Sequence, residues 1–280
     1  MAPADCISAH TFERLSQRDV PRNVALSRRV GWNDVESEWR VLHEAAEVRG
    51  ARGDDGLFVQ GALGDYGTCM TLAKMAVAPE QHRRGWGSRL LDDFMAVADA
   101  RGVPVGLCAT EQGRPLYASR QFEVTGTLRI LVGVPDLGTE AGDDVVPLLD
   151  VESAVQLDRR FSGCDRGRML RARFREASGR FQLPPGEAGF GLASAQGEGT
   201  LVGPILAETE QGARRLARAL LASARGPVRI DVPSEHAELR AWLASLGLQE
   251  RAERVEMGRG ARRLPWQVAQ RFALATQAWG

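Results

Sequence analysis

A chain of 280 residues, 44 % hydrophobic and 26 % charged, has the composition of a soluble globular protein and the length of two domains. Lys+Arg and Asp+Glu balance at 36 each, which excludes the basic field that nucleic-acid binding relies on. No stretch approaches the ~20 apolar residues of a membrane span, and no basic-then-apolar leader opens the chain, so a cytoplasmic protein with no nucleic-acid and no membrane partner is expected. Cys6, Cys69, Cys108 and Cys164 form no C-x-x-C pair, and His10, His43, His82 and His236 are equally scattered. No metal site is expected, and the cysteines read as reduced, buried small hydrophobes. Lys74 is the single lysine; every other basic side chain is arginine.

In chain order, residues 7–15 read as a first strand. Ser16-Gln-Arg-Asp19 reads as a capping box, with Pro21 in the first turn of a helix that Gly31 stops. Asn33-Asp-Val-Glu36 is expected to cap a second helix carrying Trp39 and Leu42. Gly53-Asp-Asp-Gly56 reads as the turn of a hairpin between 46–52 and 57–62, and Gly64-Asp-Tyr-Gly67 as a second turn. The apolar run 68–77 is a strand that ends before Pro79. A basic, glycine-containing turn, His82-Arg-Arg-Gly-Trp-Gly-Ser88, leads to a helix with Leu90, Leu91, Phe94, Met95 and Ala98 at helical spacing, closed by Gly102. A buried strand (103–108), a short helix (115–120) and a closing strand (124–134) follow. Residues 138–146 are polar and without periodicity, and read as a linker between a domain at 1–137 and one at 147–280.

The second half gives helices near 151–161 and 166–177, strands near 180–183, 189–195 and 200–207, a periodic helix (213–222), a strand (228–232), a helix (237–246) and a last strand (251–257). This order repeats the first half. Thr200 to Ala207 answers Thr71 to Val77, and Gly212-Ala-Arg-Arg-Leu answers Gly87-Ser-Arg-Leu-Leu, which points to a tandem duplication of one α/β unit.

A strand, a glycine turn and a helix N-terminus together make an anion site. Backbone N–H groups point outward there, the helix dipole favours negative charge, and glycine admits close approach. Arg83 and Arg84 are placed to neutralise phosphate. The second copy has Glu208-Thr-Glu-Gln-Gly212 at this place, with one glycine and two carboxylates, so one anion site is expected rather than two.

Val77-x-Pro followed by Arg-Arg-Gly-Trp-Gly-Ser resembles motif A of the GCN5-related N-acetyltransferases (GNAT), and Cys108-Ala-Thr-x-x-Gly-Arg-Pro-Leu-Tyr117 with Phe122 resembles their following strand and helix. The resemblance covers about residues 5–135. The second half resembles the degenerate acetyltransferase-like domain of a tandem subfamily, through Asp158 to Arg168, Gly203-Pro204, Ile230-Asp-Val-Pro233, Leu246-Gly-Leu248 and the tail Phe272-Ala-Leu-Ala. Two positions depart from the family pattern. His82 stands where it has Gln or Arg, and Gln121 stands where it has glycine.

The resemblance implies an α/β mixed-sheet fold in two tandem copies, with acetyl-CoA as cosubstrate and no metal. It implies that Met75, Ala76 and Val77 splay from their neighbour and hold the pantetheine arm, that His82, Arg83, Arg84, Gly85, Trp86, Gly87 and Ser88 hold the pyrophosphate, and that Tyr117 protonates the leaving thiolate. A tyrosine with pKa ~10 stays protonated at neutral pH and can donate to a thiolate of pKa ~8.5. Trp32, Tyr66 and Glu111 are candidates on the acceptor side, each with packing or solvation as the plainer role, and Asp231 reads as a pocket carboxylate or a turn-former. No carboxylate lies in 71–77, so the base is a direct Asp or Glu, such as Glu111, or an ordered water. The expected function is acetyl transfer to a primary amine of a small molecule in a ternary complex, by a monomer or homodimer. The alternatives are a protein or peptide N-acetyltransferase and a non-catalytic acyl-CoA sensor.

Overall fold

The computed structural model describes residues 12–138 and 144–279. The first half consists of β1 (Glu13–Arg14), α1 (Val20–Arg29), α2 (Glu36–Ala45), β2 (Ala46–Gly53), β3 (Gly56–Asp65), β4 (Met70–Val77), α3 (Trp86–Arg101), β5 (Val105–Ala109), α4 (Arg114–Ala118) and β6 (Glu123–Gly133). The second half adds β7 (Val146–Pro147), α5 (Val151–Ser162), α6 (Gly167–Glu176), β8 (Ala177–Gln182), β9 (Gly189–Gln196), β10 (Gly199–Ala207), α7 (Glu210–Ser223), β11 (Val228–Pro233), α8 (Ala237–Ser245), β12 (Gln249–Arg259) and β13 (Arg271–Ala273).

The capping box is present. The Ser16 hydroxyl accepts from the Arg18 N–H while Asp19 accepts from the Ser16 N–H, which starts a 3-10 turn that runs into α1. The cap expected from Asn33 is not formed: α2 starts after Val35 with no side-chain cap. Asp34, one residue earlier, is instead held by Ser27 and Lys74. Of the expected first strand, Glu13–Arg14 is a strand among the described residues, and residues 7–11 lie outside them. Most of the expected linker (139–143) also lies outside them, and Val146–Pro147 beyond it pairs with β8.

Both copies use one scheme. β2, β3 and β4 are antiparallel and β4 runs parallel to β5; β8, β9 and β10 are antiparallel and β10 runs parallel to β11. A parallel pair needs a crossover, supplied by α3 in one copy and α7 in the other. The apolar stripe of α3 (Leu90, Leu91, Phe94, Met95, Ala98) is buried, and so is that of α7 (Leu216, Ala217, Leu220, Leu221). The two halves then exchange their last strands. β12 of the second half pairs with β5, β6 of the first pairs with β11, and β6 and β12 pair with each other. The result is one continuous sheet in the order β1-β2-β3-β4-β5-β12-β6-β11-β10-β9-β8-β7, with β13 beside β10.

The strand β13 was not expected from the sequence. A fully buried ion pair locks it: the Arg271 guanidinium donates to both Glu256 oxygens at 2.8 Å. Burial pushes the Glu256 carboxyl up, and Arg271 outweighs it, so the carboxyl lies below its ordinary range. The pair therefore stabilises the fold above the unfolded carboxyl value of ~4.3, and this contribution is lost as pH falls through the lower folded value. Arg271→Ala leaves a buried carboxylate without its counter-charge, and the expected loss is about 3–5 kcal/mol at pH 7, shrinking as pH approaches 4. Urea denaturation at both pH values checks this, and an unchanged midpoint at pH 7 contradicts it.

Candidate active site

β4 and β5 pair only over Met70–Leu72 and Val105–Leu107. Beyond Leu72, β4 stays with β3 and has no strand on its β5 side among the described residues. The parting coincides with a bulge: the β3–β4 register shifts between Gln60 and Ala62, and Lys74 takes the left-handed conformation at φ +52°. Met75, Ala76 and Val77 keep β3 on one side, and on the β5 side, apart from the Val77 carbonyl that His82 takes, their backbone can receive an extended amide-bearing chain.

The glycine turn follows. Gly85 adopts φ +79°, with nothing within 4 Å of where a Cβ would stand, and it caps α3 without a side-chain hydrogen bond. The first N–H groups of α3 are thus offered to a ligand. Arg83, at φ +60°, and Arg84 are exposed, and neither makes an ion pair among the described residues. His82 folds back, its Nε2–H donating to the Val77 carbonyl at 2.9 Å, so it ties the turn to the end of β4. The Trp86 side chain packs against Phe58 (4.9 Å between ring centroids) and lies under Arg89, so this residue serves the site through its backbone. Ser88 is half-buried within the first turn of the helix.

Tyr117 is buried on α4, edge-on to Phe122 at 5.9 Å, with no protein partner for its hydroxyl among the described residues. Burial and the neighbouring Cys108 both push its pKa above the ordinary value, so it stays protonated at neutral pH. Gln121 takes φ +64°, supplying the left-handed turn for which glycine was expected. Glu111 lies with Thr110, Gln112 and Arg254 around a cavity of ≈ 500 Å³ at the end of β5.

On the other side of the splay stands a group that sequence reasoning missed. The Lys74 ammonium lies 2.5 Å from Asp34 and 3.5 Å from Glu38, and 5.8 Å from the Trp32 ring centroid. Burial opposes the Lys74 charge, and Glu38 and Asp34 outweigh it, so its pKa lies above the ordinary lysine value. Trp32 therefore borders this group. Its one signal in the sequence was the lone lysine inside an apolar strand.

Tyr66 is elsewhere. It is buried at the opposite end of β4 from the glycine turn, donating to the Trp279 carbonyl at 3.0 Å, and so holds the tail rather than an acceptor. Asp231 is a fully buried strand carboxylate held by Arg229 and Gln277, not a turn-former. Cys69 and Cys164, remote in sequence, meet with their Sγ atoms 3.3 Å apart.

The second copy has the same splay, and it is filled. β10 and β11 pair over Thr200–Val202 and Val228–Ile230, after which β13 lies against β10. Ala207 N–H donates to Gln270, and Leu274 N–H donates to Asp231 on the other arm. Gly203 allows this approach, because a Cβ there would stand 1.9 Å from the Leu274 carbonyl oxygen. The N-terminus of α7 is capped by Thr209, whose hydroxyl accepts from the Gly212 N–H at 3.1 Å.

Residues 154–273 match the family described as an acetyltransferase (GNAT) domain. The chain is also 25 % identical to the uncharacterized N-acetyltransferase YitH of Bacillus subtilis (strain 168), over 95 % of this chain and 97 % of that protein. The second half thus matches a GNAT acetyltransferase domain, and the whole chain is similar to an N-acetyltransferase over nearly its full length. A putative acetyltransferase from Pyrococcus horikoshii superposes with TM-score 0.83 at 18 % identity, over 98 % of this chain and 96 % of that one. A tandem GNAT protein from the clavulanic acid biosynthesis pathway superposes with TM-score 0.61 at 15 % identity, over 89 % and 98 %. The family match falls on the second half, whereas the glycine turn lies in the first. Among the described residues no helix is long and apolar enough to cross a membrane.

A Cβ at Gly87 would meet Leu116 and Val77 at an ordinary 3.5 Å, so Gly87→Asp has room to fold. The introduced carboxylate stands at the N-terminus of α3, where it competes with a bound anion. At least tenfold weaker acetyl-CoA binding is expected by calorimetry; unchanged affinity in a folded variant contradicts the pyrophosphate assignment.

Proposed function

We propose that the first half is an acetyl-CoA-dependent N-acetyltransferase that acetylates a primary amine of a small molecule by direct attack in a ternary complex. The second half is a degenerate copy that completes the acceptor side without binding cosubstrate. The observation that carries this reading is the uncapped N-terminus of α3 beside the open arm of β4, set against a filled and capped counterpart in β10 and α7.

The residues present fit acetyl-CoA. The backbone from Gly85 to Ser88, with Arg83 and Arg84 near it, would hold the pyrophosphate, and Met75 to Val77 would hold the amide arm. The cosubstrate supplies the activated acyl thioester. Tyr117 stays protonated on the β5 side and would give its proton to the departing sulfur. Trp32 and the Lys74 group border the acceptor from the opposite side, and the cavity at Glu111 gives access along the end of β5.

The test is thiol release from acetyl-CoA with ethanolamine, putrescine, spermidine, glucosamine, glycinamide and a lysine peptide. Turnover with a small amine is expected. Preference for the peptide favours a protein acetyltransferase, and acetyl-CoA binding without any turnover favours a sensor. Tyr117→Phe is expected to lower kcat about 100-fold or more while the acetyl-CoA Kd stays within about twofold. Equal turnover by variant and parent rejects the acid role.

A further inference from the structure

The proposed reaction has an acid but no assigned base. An amine acceptor is an ammonium ion at neutral pH and must lose a proton before it can attack. Among the residues near the splay, Glu111 lies at the open rim of the β5 cavity. Two other carboxylates are buried where β4 parts from β5, Asp34 and Glu38, both in contact with Lys74.

These two are not equivalent. Asp34 is fully engaged: one oxygen accepts from the Ser27 hydroxyl at 2.7 Å and the other from Lys74 at 2.5 Å. Glu38 accepts from the Gln196 amide at 3.1 Å through one oxygen, and its other oxygen is 3.5 Å from Lys74. That second oxygen keeps lone-pair capacity for a further donor. The charged groups facing Glu38 come from several elements. They are Lys74 on β4, Asp34 ahead of α2, Arg173 on α6 and Arg229 on β11, with Ser27 on α1 and Gln196 on β9 as neutral partners of the cluster. Arg173 is buried and leaves its Nε without a partner, so polar capacity at this place is not exhausted by protein groups.

Lys74 stands two residues beyond Leu72, the last residue of β4 paired with β5, so Glu38 is held where the strands part.

We infer that Glu38 accepts the proton of the incoming amine and that Lys74 is the positioning residue that holds it. The inference rests on the acetyl-transfer reading given above. Glu38 takes one proton from the ammonium, freeing the nitrogen lone pair. Tyr117 gives one proton to sulfur as the N–C bond forms and the C–S bond breaks with its electron pair on sulfur. The nitrogen sheds its second proton as the amide forms, so the ammonium loses two protons, of which one offsets that on the free thiol and one passes to solvent. Lysine suits its position because a compact ammonium serves two carboxylates at the crowded bulge, where a planar guanidinium fork would need more room.

The experiment uses the full chain, acetyl-CoA and the amine turned over fastest in the panel. Glu38→Gln keeps an oxygen for the Gln196 amide, and is expected to lower kcat/KM at pH 7 about 100-fold or more with the acetyl-CoA Kd within about twofold. Its deficit should narrow about tenfold per pH unit as solution deprotonates the amine. Glu38→Asp should retain part of the activity. Lys74→Met removes the ammonium that holds the Glu38 carboxylate in place, so kcat should fall about tenfold while the KM for the amine and the acetyl-CoA Kd stay within about twofold. A Glu38→Gln variant within threefold of the parent at every pH overturns the inference. So does a loss matched by lost acetyl-CoA affinity, or an unchanged kcat in Lys74→Met. A parent that releases no thiol with any amine overturns the acetyl-transfer reading itself, before either variant is compared.

Discussion

Two parallel strands that part after three residue pairs set the conditions for everything else in this protein. β4 cannot follow β5 past Leu72, and β10 cannot follow β11 past Val202. Each parting leaves backbone donors and acceptors inside the molecule, and such groups must find partners. The second copy satisfies them with its own chain, through β13 and the bonds from Ala207 to Gln270 and from Leu274 to Asp231. Among the described residues the first copy has no such strand, and its open edge runs directly into a helix N-terminus without a side-chain cap. One fold thus yields a closed cleft and an open one, and the difference lies in a few tail residues, one glycine and one capping threonine.

The closed copy still shapes the open one. The exchange of β6 and β12 puts a strand of the second half beside β5, so the wall of the first cleft is built by both halves. The tail that fills the second splay continues to the first half, where Thr71 and Tyr66 donate to the carbonyls of Ala278 and Trp279. Gln196 reaches Glu38, and Gln277 reaches Asp231. The second half thus braces the first through its own tail and strands, which gives it a physical reason to remain.

Most of the element order was legible in the sequence, because amphipathic spacing in α3 and α7, the capping box at Ser16 and the turn at Gly53 to Gly56 are local signals. The glycine turn was legible for the same reason: strand, glycines and helix are contiguous. What stayed hidden depends on contacts between distant residues. Nothing near Arg271 signals that it will pair with Glu256 and carry a strand into the second splay. The strand exchange was equally invisible, since β6 and β12 have the same local character whichever β5-like strand they join. Tyr66 shows the reverse failure. Its place in a loop suggested an acceptor pocket, while its partner, the Trp279 carbonyl, lies at the other end of the chain. Lys74 left a compositional trace, but its carboxylate partners, reached through α2, did not.

The central claim is one working cleft and one filled from within. Calorimetric titration of the full chain with acetyl-CoA tests it most directly, since it counts sites. The account predicts one equivalent bound per chain, with the site lost in Gly87→Asp. Two equivalents, or one that survives Gly87→Asp unchanged, would contradict it.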